Sequence, residues 1–141
     1  MLSALRYTGL KMSRNKLPDT RSGRIHHLVV YSEQGDIDLY VRVNFYEEVR
    51  EIAEIFVGIG KQGTTLQGML DGWAIQTSIA LQYGVPVQVI IDKFRGQSFP
   101  PAGPVKGLGI AKCSSLLDLV AQVLEKELAA SAPQVPRKFT S

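Results

Sequence analysis

The sequence predicts an α+β domain in which a small antiparallel sheet of about three strands packs against about three helices. Three observations carry this expectation. Ile37, Leu39, Val41, Val43 and Phe45 alternate with Asp38, Tyr40, Arg42 and Asn44, which is the period of a half-buried strand. Residues 54–84 run from a strand-like apolar stretch through a glycine-rich bend into a long amphipathic helix ending at Gly84. Residues 115–128 show a second capped, helical pattern near the end of the chain. A chain of 141 residues has one core to build, because a second would be too small to offset its own ordering entropy.

Taken in order, Ile25-His26-His27-Leu28-Val29-Val30-Tyr31 is a strand by its β-branched content, and Gln34-Gly35-Asp36 turns the chain into the alternating strand. Beyond it Val49, Ile52, Ala53 and Phe56 recur at helical spacing, although residues 54–59 are strand-like, and residues 47–51 lack the Gly and Pro of a tight turn. Thr64 with Gln67 three residues later is a capping-box signature opening the central helix. Its inner face is expected to hold Leu66, Met69, Leu70, Trp73, Thr77, Ala80 and Leu81, and Gly84 fits the left-handed terminating position. Pro86 suits the first turn of another helix, with Val87, Ile90, Ile91 and Phe94 on one side. Residues 96–110, rich in Gly and Pro, read as a long ordered loop. Ser115 and Asp118 cap a last helix whose Leu117, Val120, Ala121, Leu124 and Leu128 face inward.

No apolar run has the length needed to cross a bilayer, and the basic N-terminus lacks the apolar core and cleavage site of a signal peptide. A soluble, cytoplasmic protein without a membrane partner is the expectation. Cys113 is the sole cysteine, which excludes an internal disulfide and an all-cysteine metal cage, so neither metal nor cofactor is expected. Charge is uneven. Residues 1–24 hold six Lys or Arg against one Asp, residues 131–141 hold two basic residues, and the remainder holds eight basic against twelve acidic. The chain therefore divides into a flexible basic arm at 1–18, a domain at 19–130 and a disordered tail at 131–141. Such an arm either neutralises nucleic-acid phosphates or solubilises the protein and docks on its acidic core or a neighbouring subunit.

Gly58, Gly60 and Gly63 satisfy the dinucleotide fingerprint G-x-G-x-x-G, with Val87 to Asp92 available as a second strand ending in an acid. Asp92 lies far downstream, however, and no further strand–helix–strand unit follows. The P-loop motif fails outright, because Lys61 precedes Gly63 and is not followed by Ser or Thr. Two readings of the bend stay open. One is a phosphate cradle made of the backbone amides of Gln62, Gly63, Thr64 and Thr65, the two threonine hydroxyls and the Lys61 ammonium, with Lys93 and Arg95 closing it from the next helix. The other is a tight strand-to-helix turn with Thr64 as its cap. Asp71, beside Gly68, Gly72 and Trp73, is placed to face a pocket across a thin glycine surface, and close approach by a ligand or another chain would explain the mid-helix glycines, as would a helix–helix crossing. No catalytic constellation emerges: Cys113 starts a helix, but His26 and His27 lie on a distant strand. Trp73 reads as core, and the two histidines are expected to split between the faces of their strand.

Glu54-Ile55-Phe56-Val57, Gly60-Lys61-Gln62-Gly63-Thr64-Thr65-Leu66, Leu81-Gln82-Tyr83-Gly84-Val85-Pro86, Asp92-Lys93-Phe94 and Ala111-Lys112 followed by Asp118 resemble the TSCPD domain, the C-terminal module of cobalamin-dependent ribonucleotide reductases. The resemblance covers roughly residues 17–128, and implies a turn and a third strand over 52–59. The radical-forming barrel of the reductases and their C-terminal cysteine pair are absent from this sequence. Lys112-Cys113-Ser114-Ser115 stands where many members carry Thr-Ser-Cys-Pro-Asp, so a metal role of cysteine-rich members does not carry over. The expected function is a stand-alone, non-catalytic module, homo-oligomeric, that binds a nucleotide or other phosphate-bearing small molecule. A phage-encoded sequestering protein would suit that description. The alternatives are a regulatory subunit of a separately encoded ribonucleotide reductase and a weak nucleic-acid binder acting through the basic arm.

Overall fold

Strict apolar alternation forces Leu39, Val41 and Val43 onto one side of a strand, and the fold grows around that side. A computed structural model describes residues 13–60 and 64–131. Strand β1 (Ser22–Ser32) and strand β2 (Gly35–Tyr46) form a hairpin in which Ser32 faces Gly35, itself at φ +112°. Strand β3 (Glu51–Ile59) pairs antiparallel with β2 after a turn that lacks glycine. Arg50 takes the left-handed conformation in its place, at φ 52°, with its guanidinium 5.2 Å from the centre of the Phe45 ring. The strand over residues 52–59 is therefore present, and the helical spacing through Val49 and Phe56 is coincidental.

Three helices follow: α1 (Thr65–Gln82), α2 (Val87–Phe94) and α3 (Leu116–Ser131). Helix α1 ends as expected at Gly84, where φ is +96° and the N–H of Val85 reaches back to the Ala80 carbonyl at 3.0 Å. Ser115 caps α3 by accepting the Asp118 N–H at 3.0 Å. The α+β class holds, but the sheet has five strands in the order β3-β2-β1-β4-β5. The extra two, β4 (Gly103–Lys106) and β5 (Lys112–Cys113), come from in and just after the stretch read as loop. Glycine makes this possible. Gly103 sits at φ +152°, and a Cβ there would stand 2.3 Å from the Tyr31 carbonyl oxygen, so its bare Cα lets β4 approach the free edge of β1.

The inner sheet face supplies Leu28, Val30, Leu39, Val41, Val43, Ile55 and Val57 to one core. Helix α3 is buried more deeply than its pattern predicts, since Leu116, Leu119 and Val123 are inside together with Val120, Ala121 and Leu124. Ile91 brings α2 into the same core, and Phe94 meets Trp73 edge to face at 5.2 Å. Trp73 is thus packed with the core.

The buried face of α1 differs from the expected one. Leu70, Ala74, Thr77, Ser78, Leu81 and Gln82 are inside, while Met69 is 70% exposed. The polar members are there because α1 lies along β3, whose outer edge has no partner strand among the described residues. Ser78 Oγ donates to the Ile55 carbonyl and accepts its N–H at 2.9 Å, and Gln82 Nε2 donates to the Ala53 carbonyl at 3.1 Å. The main chain also reaches Gln82 from residues 13–18: Asn15 N donates to its carbonyl, Arg14 Nε donates to its side chain, and Leu17 is buried. Residues 1–12 of the expected arm and 132–141 of the expected tail lie outside the described residues.

Candidate functional site

Gln67 organises the surroundings of the glycine bend. Its N–H donates to Thr64 Oγ1 at 3.1 Å, which makes Thr64 the N-cap. The capping box is otherwise diverted. The Gln67 carboxamide oxygen accepts the Ile59 N–H at 2.6 Å, and its Nε2 donates to the Val57 carbonyl at 3.1 Å and to Asp71 Oδ1 at 2.6 Å. One side chain thereby closes the end of the β3 edge, fixes the start of α1 and orients an exposed carboxylate. Lys61, Gln62 and Gly63, which the sequence places at the centre of the cradle, lie outside the described residues.

A cleft of about 600 Å³ opens on the outer face of the sheet beside this junction, lined by Ile25, Tyr40, Arg42, Phe56, Gly58, Gln67 and Asp71. Among the described residues no helix covers this face, and Ile25 and Phe56 are 61% and 50% exposed. His27 stacks on Tyr40 with ring centroids 4.6 Å apart and planes 8° from parallel, and its Nε2–H donates to Asp38 Oδ1 at 2.7 Å. Arg42 Nε donates to Asn44 Oδ1 at 3.0 Å and forms no ion pair among the described residues. A second hollow of about 430 Å³ lies on the other side of the bend, between Gly60, Thr64 and the carboxylates of Asp36 and Asp38. The two aspartates disfavour an anion there.

The predicted site residues are distributed unequally. Thr64 and Asp71 are joined through Gln67, Thr65 is exposed at the first position of α1, and Asp71 lines the larger cleft. Lys93 is exposed in the last turn of α2. Arg95 follows it and turns to α3, donating to Asp118 at 2.9 Å and Glu125 at 3.1 Å. Burial by itself would push the Asp118 carboxyl up; the N–H groups of Gly96 and Ser114, with Arg95 and Gln122, outweigh it and hold the group below the ordinary carboxylate range. The helix-crossing explanation for Gly68 and Gly72 is not met among the described residues: a Cβ on either would touch none of them, and both are exposed. Tyr40, Arg42, Phe56 and Gln67 escaped the sequence reading as site residues, although strand alternation already put the first two on the polar face of β2.

The histidines do split. His27 faces outward into the stack, whereas His26 faces inward and pairs with the buried Glu127, whose other neighbour is Arg24 at 3.3 Å. Cys113 is buried, and burial pushes its thiol up, which leaves it protonated and unreactive near neutral pH. Among the described residues, no group of His, Cys, Asp and Glu is arranged to hold a metal ion, and no helix is long and apolar enough to cross a membrane.

Comparison with known proteins agrees with this architecture of a small module. The vitamin B12-dependent ribonucleotide reductase of Bradyrhizobium diazoefficiens is 39% identical over 108 residues, which are 76% of this chain and 8% of the reductase. The enzymes of that name from Rhodopirellula baltica and Streptomyces avermitilis are 35% and 34% identical, over 81% and 76% of this chain and 10% and 11% of their own length. This chain thus spans about a tenth of these relatives. No solved structure matches it. The model of the TSCPD domain matches residues 11–128, nearly the whole of the described fold, and the chain belongs to the TSCPD domain family.

Proposed function

We propose that this chain is a non-catalytic binding module that holds a phosphate-bearing small molecule, a nucleotide being the class that fits, in the cleft between the bare sheet face and the start of α1. The observation that carries this is the meeting of three kinds of group around one concavity: exposed aromatic rings, a guanidinium without a carboxylate partner among the described residues, and the first turns of a helix. Arg42 supplies the charge for phosphate and Tyr40 and Phe56 the apolar wall. A module that binds without turnover would sequester or sense its ligand.

Thermal-shift screening against nucleotides, cyclic nucleotides and ADP-ribose derivatives tests the reading, since a ligand specific to the native state raises apparent stability by mass action. Titration calorimetry on the best ligand should then show Arg42→Ala weakening binding by about 1–3 kcal/mol, the range of a charge-assisted hydrogen bond. Unchanged affinity would remove Arg42 from the site.

A second reading, a subunit that docks on a separately encoded reductase, is favoured by the exposed side of α1. Met69 and Ile75 are 70% and 60% exposed there, beside the open backbone at Gly68 and Gly72. Co-purification with such a reductase, lost on Met69→Glu, is its test.

A further inference from the structure

Three strands present their outward residues in register. His27 stands opposite Tyr40 and Tyr40 opposite Gly58, while the next row holds Ile25, Arg42 and Phe56. In the first row, His27 and Tyr40 are already stacked, and the third position has no side chain. A Cβ built on Gly58 meets nothing within 4 Å. Adjacent strands lie about 4.8 Å apart, so a ring standing over Gly58 would meet Tyr40 at nearly the separation at which His27 meets it from the other side.

We propose that this gap is a slot for a purine base, guanine before adenine, which completes a three-ring stack of His27, Tyr40 and ligand. The inference deepens the reading of the cleft as a phosphate-binding site and rests on it for the part played by Arg42. The row's geometry calls for a flat ring. Phe56, two residues along the same strand face, walls the slot on one side and is half exposed. The polar rim selects the base. The Asp71 carboxylate is an acceptor only, and Gln67 uses its own carboxamide on Ile59, Val57 and Asp71. Asp71 is held in place by that bond and keeps acceptor capacity on both oxygens. Guanine offers two adjacent N–H donors, N1–H and the 2-amino group, to a carboxylate, whereas adenine offers its 6-amino group alone. Arg42, one row away, is placed for the phosphate of the same nucleotide.

The test uses the full chain with three probes: GMP, guanosine and ribose 5-phosphate, the last carrying the phosphate without a base. GMP should bind at least about tenfold more tightly than ribose 5-phosphate, since stacking on one aromatic ring is worth that much or more. Gly58→Phe fills the slot with the protein's own ring; it should lower GMP affinity about tenfold or more and lower ribose 5-phosphate affinity far less. Its thermal midpoint should hold or rise, because the new side chain enters open space on a strand. Tyr40→Leu gives the same loss by removing the stacking partner; with AMP run beside the three probes as a comparison, the parent should prefer GMP and Asp71→Asn should erase that preference. Equal affinity for GMP and ribose 5-phosphate, or a folded Gly58→Phe that binds GMP like the parent, overturns the slot and leaves the phosphate reading standing. Guanosine binding blocked by Gly58→Phe, with no binding of ribose 5-phosphate, keeps the slot and removes the phosphate reading. If none of the three probes binds, both fall.

Discussion

Gln67 shows how one residue serves stability and site geometry together. Its carboxamide spans a helix start and a strand edge, making three side-chain hydrogen bonds of 2.6, 3.1 and 2.6 Å. Gln67→Ala leaves the Ile59 N–H and the Val57 carbonyl without these partners at a half-buried edge, and should cost about 1–3 kcal/mol in urea unfolding. Gln67→Glu keeps an acceptor for Ile59, loses the donor for Val57 and sets a second carboxylate beside Asp71, so it should not rescue. A loss under about 0.5 kcal/mol for the alanine variant would mean that water replaces the carboxamide. Asp118 makes the corresponding case for pH. Its folded-state pKa lies below its unfolded value, so its contribution is complete above the ordinary carboxylate range and is lost as pH falls through the depressed value. Stability measured from neutral to acid pH should fall less steeply in Asp118→Asn than in the parent, from a lower starting point. Parallel curves would show that other carboxylates dominate the acid limb.

At the scale of elements, α1 matters most, because it covers the edge that would otherwise invite another strand. Ser78 and Gln82 do so from its buried side, which explains why the apolar pattern misplaced that face. Hydrophobic spacing registers what a helix hides from water. It does not register a polar side chain hidden because it replaces a missing strand. Strands β1 and β2 were legible from their alternation, and Thr64, Ser115 and Gly84 from capping chemistry, since each of those signals is local. Strand β4 was not legible, because its glycines read as loop until β1 stands against them, and the cleft was half legible, because Asp71 and Thr64 signal locally while Tyr40 and Gly58 meet only through register. A glycine series separates these roles. Gly68→Ala and Gly72→Ala, in an exposed helix with open space beyond, should each stabilise the isolated protein by up to about 1 kcal/mol. Gly84→Ala, at φ +96°, should destabilise by about 1–2 kcal/mol. Gly103→Ala should be worst, since φ +152° and a 2.3 Å contact with Tyr31 both oppose it. Denaturant midpoints ranked otherwise would contradict this placing of β4.

For the whole molecule, the decisive property is one-sidedness: among the described residues the helices cover the inner sheet face and none covers the outer one, so the proposed site and the core occupy opposite sides. The start of the described chain sits far from the cleft. Arg14 and Asn15 bond to Gln82, whereas the cleft uses Gln67 and Asp71 at the other end of α1. Fifteen residues of helix separate Gln67 from Gln82, about 22 Å at the helical rise. That is beyond the Debye length of about 8 Å at physiological salt, so the charge of Arg14, held at Gln82, reaches the cleft only weakly. If residues 1–12 serve only solubility or subunit docking, removing them should leave small-ligand affinity unchanged at physiological salt. Removing residues 1–17 should lower stability by about 2 kcal/mol or more, because it strips the buried Leu17 and the bonds to Gln82. Small-ligand affinity lost on the shorter deletion would draw the arm into the site. A salt-sensitive affinity for nucleic acid, present in the full chain and gone after the shorter deletion, would instead assign the arm a phosphate-neutralising role of its own, separate from the cleft.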